Sequence, residues 1–251
     1  MNLINSLNSE WLKTKRSAAS WLCLIGGFFI PLIFLIISLV KHNTINSYGA
    51  NVNIWEAHFT QLWQNMSSFL LPMGVILASS LITQIEYKNN TWKQLFATPQ
   101  TFTNIYISKF LVILIMIIKF FVFFNIGIVL SGIIPSLLFD GHFPNQNIPF
   151  LFFIKENIKY FLTCLPIIAI QYLISLNFKN FLIPVGIGLL GLIGSLIGLS
   201  WKYIYISPFS YCAMTLVKID RGFNIYGLAI IYFILIMIVG HYLFITKKVK
   251  G

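Results

Sequence analysis

The sequence predicts an all-α integral membrane protein with six transmembrane helices and an amphipathic helix at its N-terminus, and three observations carry that reading. Of 251 residues, 58% are apolar and 9% charged, against about 45–50% and about 25% in ordinary soluble domains. Mean hydropathy is +0.84, and 24 residues are Phe. The apolar residues also gather into runs long enough to cross roughly 30 Å of hydrocarbon as helices. So few charges cannot clothe a water-facing surface, which excludes a soluble globular enzyme, and so much apolar surface excludes intrinsic disorder. The length of the runs excludes β-barrel strands, which would be about 10 residues of alternating polarity.

Residues 1–19 come before the first run. Leu3, Ile4, Leu7 and Trp11 recur at helical spacing opposite Asn5, Ser9 and Glu10, and Lys13, Lys15 and Arg16 follow. The pattern predicts a helix lying in the membrane interface with its apolar face down; a frayed polar tail is the alternative. Lacking a small-residue cleavage site, it does not read as a cleaved signal peptide.

Six spans follow: Ser20–Val40, Leu62–Thr83, Ile105–Ile134, Phe150–Leu176, Phe181–Ser200 and Ile225–Thr246. The third and fourth are long enough to tilt or to carry an interfacial turn. The fifth is Gly-rich, and Gly194 and Gly198, with Gly191 one turn earlier, frame a face that lets another helix approach closely. That helix could belong to the same chain or to another. The connections are of loop length, so residues 1–251 read as one domain.

The most polar connection is the stretch 86–104 between spans two and three. Asn90 can cap a short helix there. Trp92, Leu95 and Phe96 fall at i, i+3 and i+4 on one face, and Pro99 stops the helix. The product is a short amphipathic helix parallel to the membrane. It is either an interfacial connector anchored by Trp92 or a docking knob for a soluble partner, and periodicity leaves both open.

With six spans, both termini lie on one side. Placing that side in the cytoplasm puts Lys13, Lys15, Arg16, Lys88, Lys93, Lys109, Lys179 and the C-terminal lysines inside. Lys41, Lys155, Lys159, Lys202, Lys218 and Arg221 then fall outside. The excess of Lys and Arg inside favours this orientation. The net charge of +11 thus reflects the membrane, and no nucleic-acid partner is expected.

Catalysis by this chain alone is not expected. It has no G-x-x-x-x-G-K-[ST] to cradle phosphates, and no H-E-x-x-H to hold zinc. No Gly-x-Ser-x-Gly provides a hydrolase elbow, and no carboxylate lies at the centre of a span to exchange protons or bind sodium. Cys23, Cys164 and Cys212 fit neither a disulfide framework nor a metal site. Lys119 is the one charge well inside a predicted span, away from its ends. Lys119, Asn125 and Gln171 are the candidate polar lining of a cavity, with snorkelling or local pairing as the alternative for the lysine.

These residues resemble a family. Many ABC-2 type permeases have six spans and an N-terminal amphipathic helix carrying a Glu followed by basic residues. Their intracellular loop has the pattern E-x4-T-x3-L-x3-P, with a Lys farther on. Glu10-Trp11-Leu12-Lys13-Thr14-Lys15-Arg16 and then Glu86, Thr91, Leu95, Pro99 and Lys109 stand at matching positions. Within the family the chain looks most like the lantibiotic-immunity and bacitracin-resistance permeases. The resemblance implies a subunit that expels an amphipathic peptide or lipophilic compound from a bacterial inner membrane. It also implies two separate ATP-binding subunits and a second permease chain, identical or paralogous. ATP and Mg would be held by the partners, with no cofactor on this chain. Asn90–Phe96 would be the helix that couples to the ATPase, with Glu86 at its edge and the N-terminal helix nearby. The alternatives are a self-sufficient carrier and a non-transporting membrane scaffold.

Overall fold

The computed structural model describes residues 3–40, 53–89, 91–92, 100–138, 147–216 and 224–249, and the described part is helical throughout, joined by turns. The elements are α1 (Leu3–Thr14), α2 (Ala18–Val40), α3 (Ile54–Asn65), α4 (Leu71–Lys88), α5 (Phe102–Leu138), α6 (Phe150–Asn177), α7 (Leu182–Ile197), α8 (Tyr211–Met214) and α9 (Ile225–Val249). Six helical stretches are long and apolar enough to cross a membrane, and they coincide with the six predicted runs. The protein is a multi-pass membrane protein.

The second crossing is longer than its hydropathy suggests. Asn53 caps α3 by accepting from the Trp55 amide at 3.0 Å. A π-helical turn at Met66–Leu70 then joins α3 to α4, so one rod runs from Ile54 to Lys88. Glu56, His58 and Gln61 lower the hydropathy of its first half. Trp55, Phe59, Leu62 and Trp63 nonetheless form a buried stripe, and that stripe is the core-facing side of a helix. Trp63 stacks on Tyr160 with centroids 4.1 Å apart, and Phe59 packs on Phe153 at 4.3 Å.

α2 and α5 run side by side in the same direction. A Cβ added to Gly27 would lie 2.9 Å from Phe123, and one added to Gly127 would lie 2.8 Å from the Pro31 ring. These two glycines let the backbones close. α5 begins well before α2 along their common axis, and α1 packs on that extension. Between α1 and α2 the chain turns at Arg16, which holds φ 65°, a left-handed value typical of a helix C-terminus.

The connection after α7, read from sequence as a loop on the outer side, is folded onto the bundle. Its 3-10 turns at Ile204–Ile206 and Pro208–Ser210 lead into α8, and Tyr211, Cys212 and Ala213 are buried against the helices. The Tyr211 hydroxyl donates to the Tyr205 carbonyl at 2.7 Å. Cys212 Sγ comes to rest 3.4 Å from Cys164 Sγ. Two cysteines that the sequence left unrelated are therefore neighbours.

Candidate functional site

One end of the bundle gathers the buried charge. α1 turns Ser6, Glu10 and Thr14, spaced i, i+4 and i+8, towards the protein, while Ile4 and Leu12 stand outward and exposed. The sequence reading set Glu10 on the side away from the packed face. The structure corrects this: the polar stripe is the packed face, because its partners on α4 and α5 are also polar. Leu7 and Trp11 border the stripe and pack against the core.

Lys109, in the third turn of α5, donates to Glu10 Oε2 at 2.7 Å and to Glu86 Oε1 at 3.2 Å. Lys13 donates to Glu10 Oε1 at 2.7 Å and to Glu86 Oε1 at 2.9 Å. The Thr91 hydroxyl donates to Glu86 Oε2. Glu86 is 0%, Lys109 1% and Glu10 4% exposed. Two carboxylates and two ammonium groups thus form a neutral cluster that joins three separate elements. Burying such charges is costly, and their mutual attraction offsets the cost only when every partner is in place. For Lys13, burial lowers the pKa, but the hydrogen bonds and charges of Glu10 and Glu86 outweigh it and hold the pKa above 10.5.

Polar contacts extend the joint. Ser6 Oγ lies 2.9 Å from Ser108 Oγ and 3.0 Å from Gln100 Oε1. The Tyr87 hydroxyl donates to the Leu176 carbonyl at 2.8 Å, and the Gln84 amide donates to the Phe178 carbonyl at 2.9 Å. His241 on α9 meets Thr103 on α5 at 3.1 Å. The ends of α1, α4, α5, α6 and α9 therefore meet at one face.

Thr91 and Trp92 are the described residues of the predicted amphipathic loop helix; Asn90, Leu95 and Phe96 lie outside the described residues. Trp92 is half-buried against its own chain. Its ring is 5.7 Å from Lys109 Nζ, 5.2 Å from Tyr87 and 6.4 Å from Phe244. These contacts place the Trp92 ring against the bundle.

The structure separates the residues suggested for a cavity. Lys119 donates to Ser20 Oγ at 3.2 Å and lies 5.7 Å from the Phe123 ring. α5 begins at Phe102, so Lys119 is about 25 Å along it yet level with the first turn of α2. The charge is deep in α5's own length but near the end of its neighbour. Gln171 donates to Ser80 Oγ at 2.7 Å and to the Pro184 carbonyl at 2.8 Å, tying α6 to α4 and α7. Asn125 pairs instead with Asn157.

The glycines of α7 also divide. A Cβ on Gly191 would meet the Phe209 ring at 2.8 Å, and one on Gly198 would meet Ile204 at 3.2 Å. Nothing lies within 4 Å of such an atom on Gly194. A Cβ on Gly188 would come within 2.5 Å of Gln171 Oε1, so Gly188 replaces Gly194 as a close-packing position. The Gly194–Gly198 pair is therefore not one packed face within the chain.

The joint between Glu10 and Lys109 went unread at the level of individual residues. Its sequence signal was the i, i+4, i+8 spacing of Ser6, Glu10 and Thr14 along α1. No signal in the sequence pairs Asn125 with Asn157.

The family model described as ABC-2 family transporter protein matches residues 6–195. That stretch includes Glu10, Lys13, Glu86, Thr91 and Lys109. No curated protein and no solved structure matches the chain.

Proposed function

As the chain belongs to the ABC-2 transporter family and is a membrane permease component of an ABC transporter, we propose that it is the permease of an ATP-driven exporter. Two copies of a separate ATP-binding subunit would hold ATP and Mg. A second permease chain, identical or paralogous, would complete the pathway. The cargo would be an amphipathic peptide or a lipophilic compound, expelled from a bacterial inner membrane with both termini of this chain in the cytoplasm.

The observation that supports coupling is the buried cluster of Glu10, Lys13, Glu86 and Lys109. It fastens α1, the last turn of α4 and the lower part of α5 into one body beside the loop 86–104. A partner that pushes on the loop would move all three, since parting them would strand buried charges. ATP binding and hydrolysis would bias two arrangements of the spans through different contacts in each. Leu95 and Phe96 would face the partner, and Trp92 would keep the loop on the bundle.

Affinity purification of the tagged chain, co-expressed with its genomic neighbours, tests this reading. A stoichiometric ATP-binding subunit is expected. Phe96→Ala should weaken its recovery. Trp92→Ala should leave it bound but lower cargo-stimulated ATP hydrolysis by about tenfold or more, the scale of an aromatic anchor worth about 2 kcal/mol. Recovery of the chain alone, indifferent to ATP, would overturn the permease reading.

A further inference from the structure

Residues of α5 and α6 line a cleft of about 670 Å³, within the roughly 300–1,000 Å³ range of small-molecule sites. Ile118, Val122 and Ile126 line one wall, and Ile154, Ile158 and Phe161 the other. Among the described residues, no charged side chain lines it. Its polar feature is the pair Asn125 and Asn157. Each amide nitrogen donates to the other's Oδ1 at 2.9 Å. Each also donates to a carbonyl of its own helix at 2.7 Å, Asn125 to Phe121 and Asn157 to Phe153.

That arrangement uses up the N–H groups of both amides. A carbonyl oxygen has two lone pairs, and each Oδ1 accepts one bond here, so both keep acceptor capacity. Acyl chains lying in the cleft bring no donor to satisfy it. The complement is a hydrogen-bond donor. An ionised group would find no counter-charge in the cleft and would meet a large desolvation cost, so the donor must be neutral.

We propose that the α5–α6 cleft is a binding site for a neutral membrane amphiphile. Its hydrocarbon chain lies between the two helices, and a hydroxyl or amide N–H donates to the oxygens of Asn125 and Asn157. Calling this occupant the cargo rests on the permease reading; binding does not. The site admits its ligand sideways from the lipid, because its walls are the lipid-facing sides of two spans. Ordinary acyl chains can touch the walls but bring no donor to the amide pair.

The test uses the full chain alone in nanodiscs of saturated phosphatidylcholine. The probes are a diazirine-bearing hexadecanol and its methyl ether, which share a chain and differ in the donor. Labelling of residues 118–130 and 150–161, read by mass spectrometry, should favour the alcohol by roughly threefold to tenfold, the range of one net hydrogen bond. Asn125→Leu with Asn157→Leu should abolish the preference while the ether still labels. Ile126→Trp, which fills the cleft without touching the amides, should reduce both and keeps the test valid where the double variant fails to fold. Equal labelling by the two probes, or labelling spread evenly over α2 and α9, would overturn the proposal. So would cross-linking of Val122→Cys between two chains without labelling, since a second copy would then fill the cleft. Failure to recover an ATP-binding subunit in the separate purification would remove the permease reading and leave the labelling result standing.

Discussion

Glu10 and Glu86 share Lys109, and neither carboxylate can turn to water when that lysine is lost. Lys109→Met should therefore destabilise the chain by about 3–5 kcal/mol, the cost of stranding buried charge, seen as a lower midpoint of thermal unfolding in detergent. Lys13→Met should cost less. The Lys13 side chain is 32% exposed, so solvent screens its part of the network. The Lys13 contribution also carries a pH signature. Its pKa is raised in the folded chain, so the stabilisation is fully present below about 10.5, the ordinary lysine value. It is lost as pH rises through the folded value. The stability gap between wild type and Lys13→Met should be flat near neutrality and shrink in alkali. Cys164 and Cys212 give a second residue-scale expectation, because their sulfurs are already in contact. A membrane-permeant oxidant such as diamide should join these two and spare Cys23, leaving one alkylatable thiol after denaturation. Three thiols after treatment would show that the contact is not sampled in a bonding geometry. Neither contact was legible in the sequence, since 99 residues separate Glu10 from Lys109 and 48 separate the two cysteines. Only the fold brings such positions together.

At the scale of elements, apolar runs translated directly into helices. Phe150 opens the fourth crossing and Ile225 the sixth, both in the sequence reading and in the structure. Hydropathy failed where a helix is amphipathic. Ile54–Asn65 carries Glu56, His58 and Gln61 around a buried stripe of Trp55, Phe59, Leu62 and Trp63. Its average polarity hid a continuous rod that its periodicity would have exposed. A different limit applies to α8, where Tyr211 and Cys212 sit in a stretch too short to read as a span, and tertiary packing pulls it inward. α7 yields a test of how glycine position, rather than glycine content, matters. Gly191→Ala places a methyl against the Phe209 ring and should cost about 1–3 kcal/mol, as overpacking does. Gly194→Ala meets nothing and should be neutral or stabilising by up to about 1 kcal/mol, through helix propensity. Folded yield and thermal midpoint compare the two, and equal losses would refute the assignment of the packed face.

For the whole molecule, fold class and the positions of the crossings were readable because lipid imposes them. Every spanning backbone must satisfy its own hydrogen bonds, so length and composition leave few alternatives. How the crossings pack was not readable, because helix pairing in a membrane depends on small residues and buried polar contacts rather than on hydropathy. The family pattern marked Glu86, Thr91 and Lys109 in advance, and the structure shows what they share: one carboxylate receives both the loop threonine and the α5 lysine. α5 then carries a mechanical consequence. It is one helix of 37 residues, about 55 Å long, with Lys109 near one end and Asn125 about 24 Å farther on. Between these two positions it contains no Pro or Gly to absorb a bend. It closes on α2 where Gly127 leaves room for the Pro31 ring, a point that can serve as a fulcrum. A tilt of roughly 5° about that point would swing Lys109 through about 2 Å, since 18 residues of stiff rod separate them. Asn125 lies almost at the pivot, so the amide pair would rotate while barely changing place. A lever of that shape turns a push at its long arm into a change of angle at the short one.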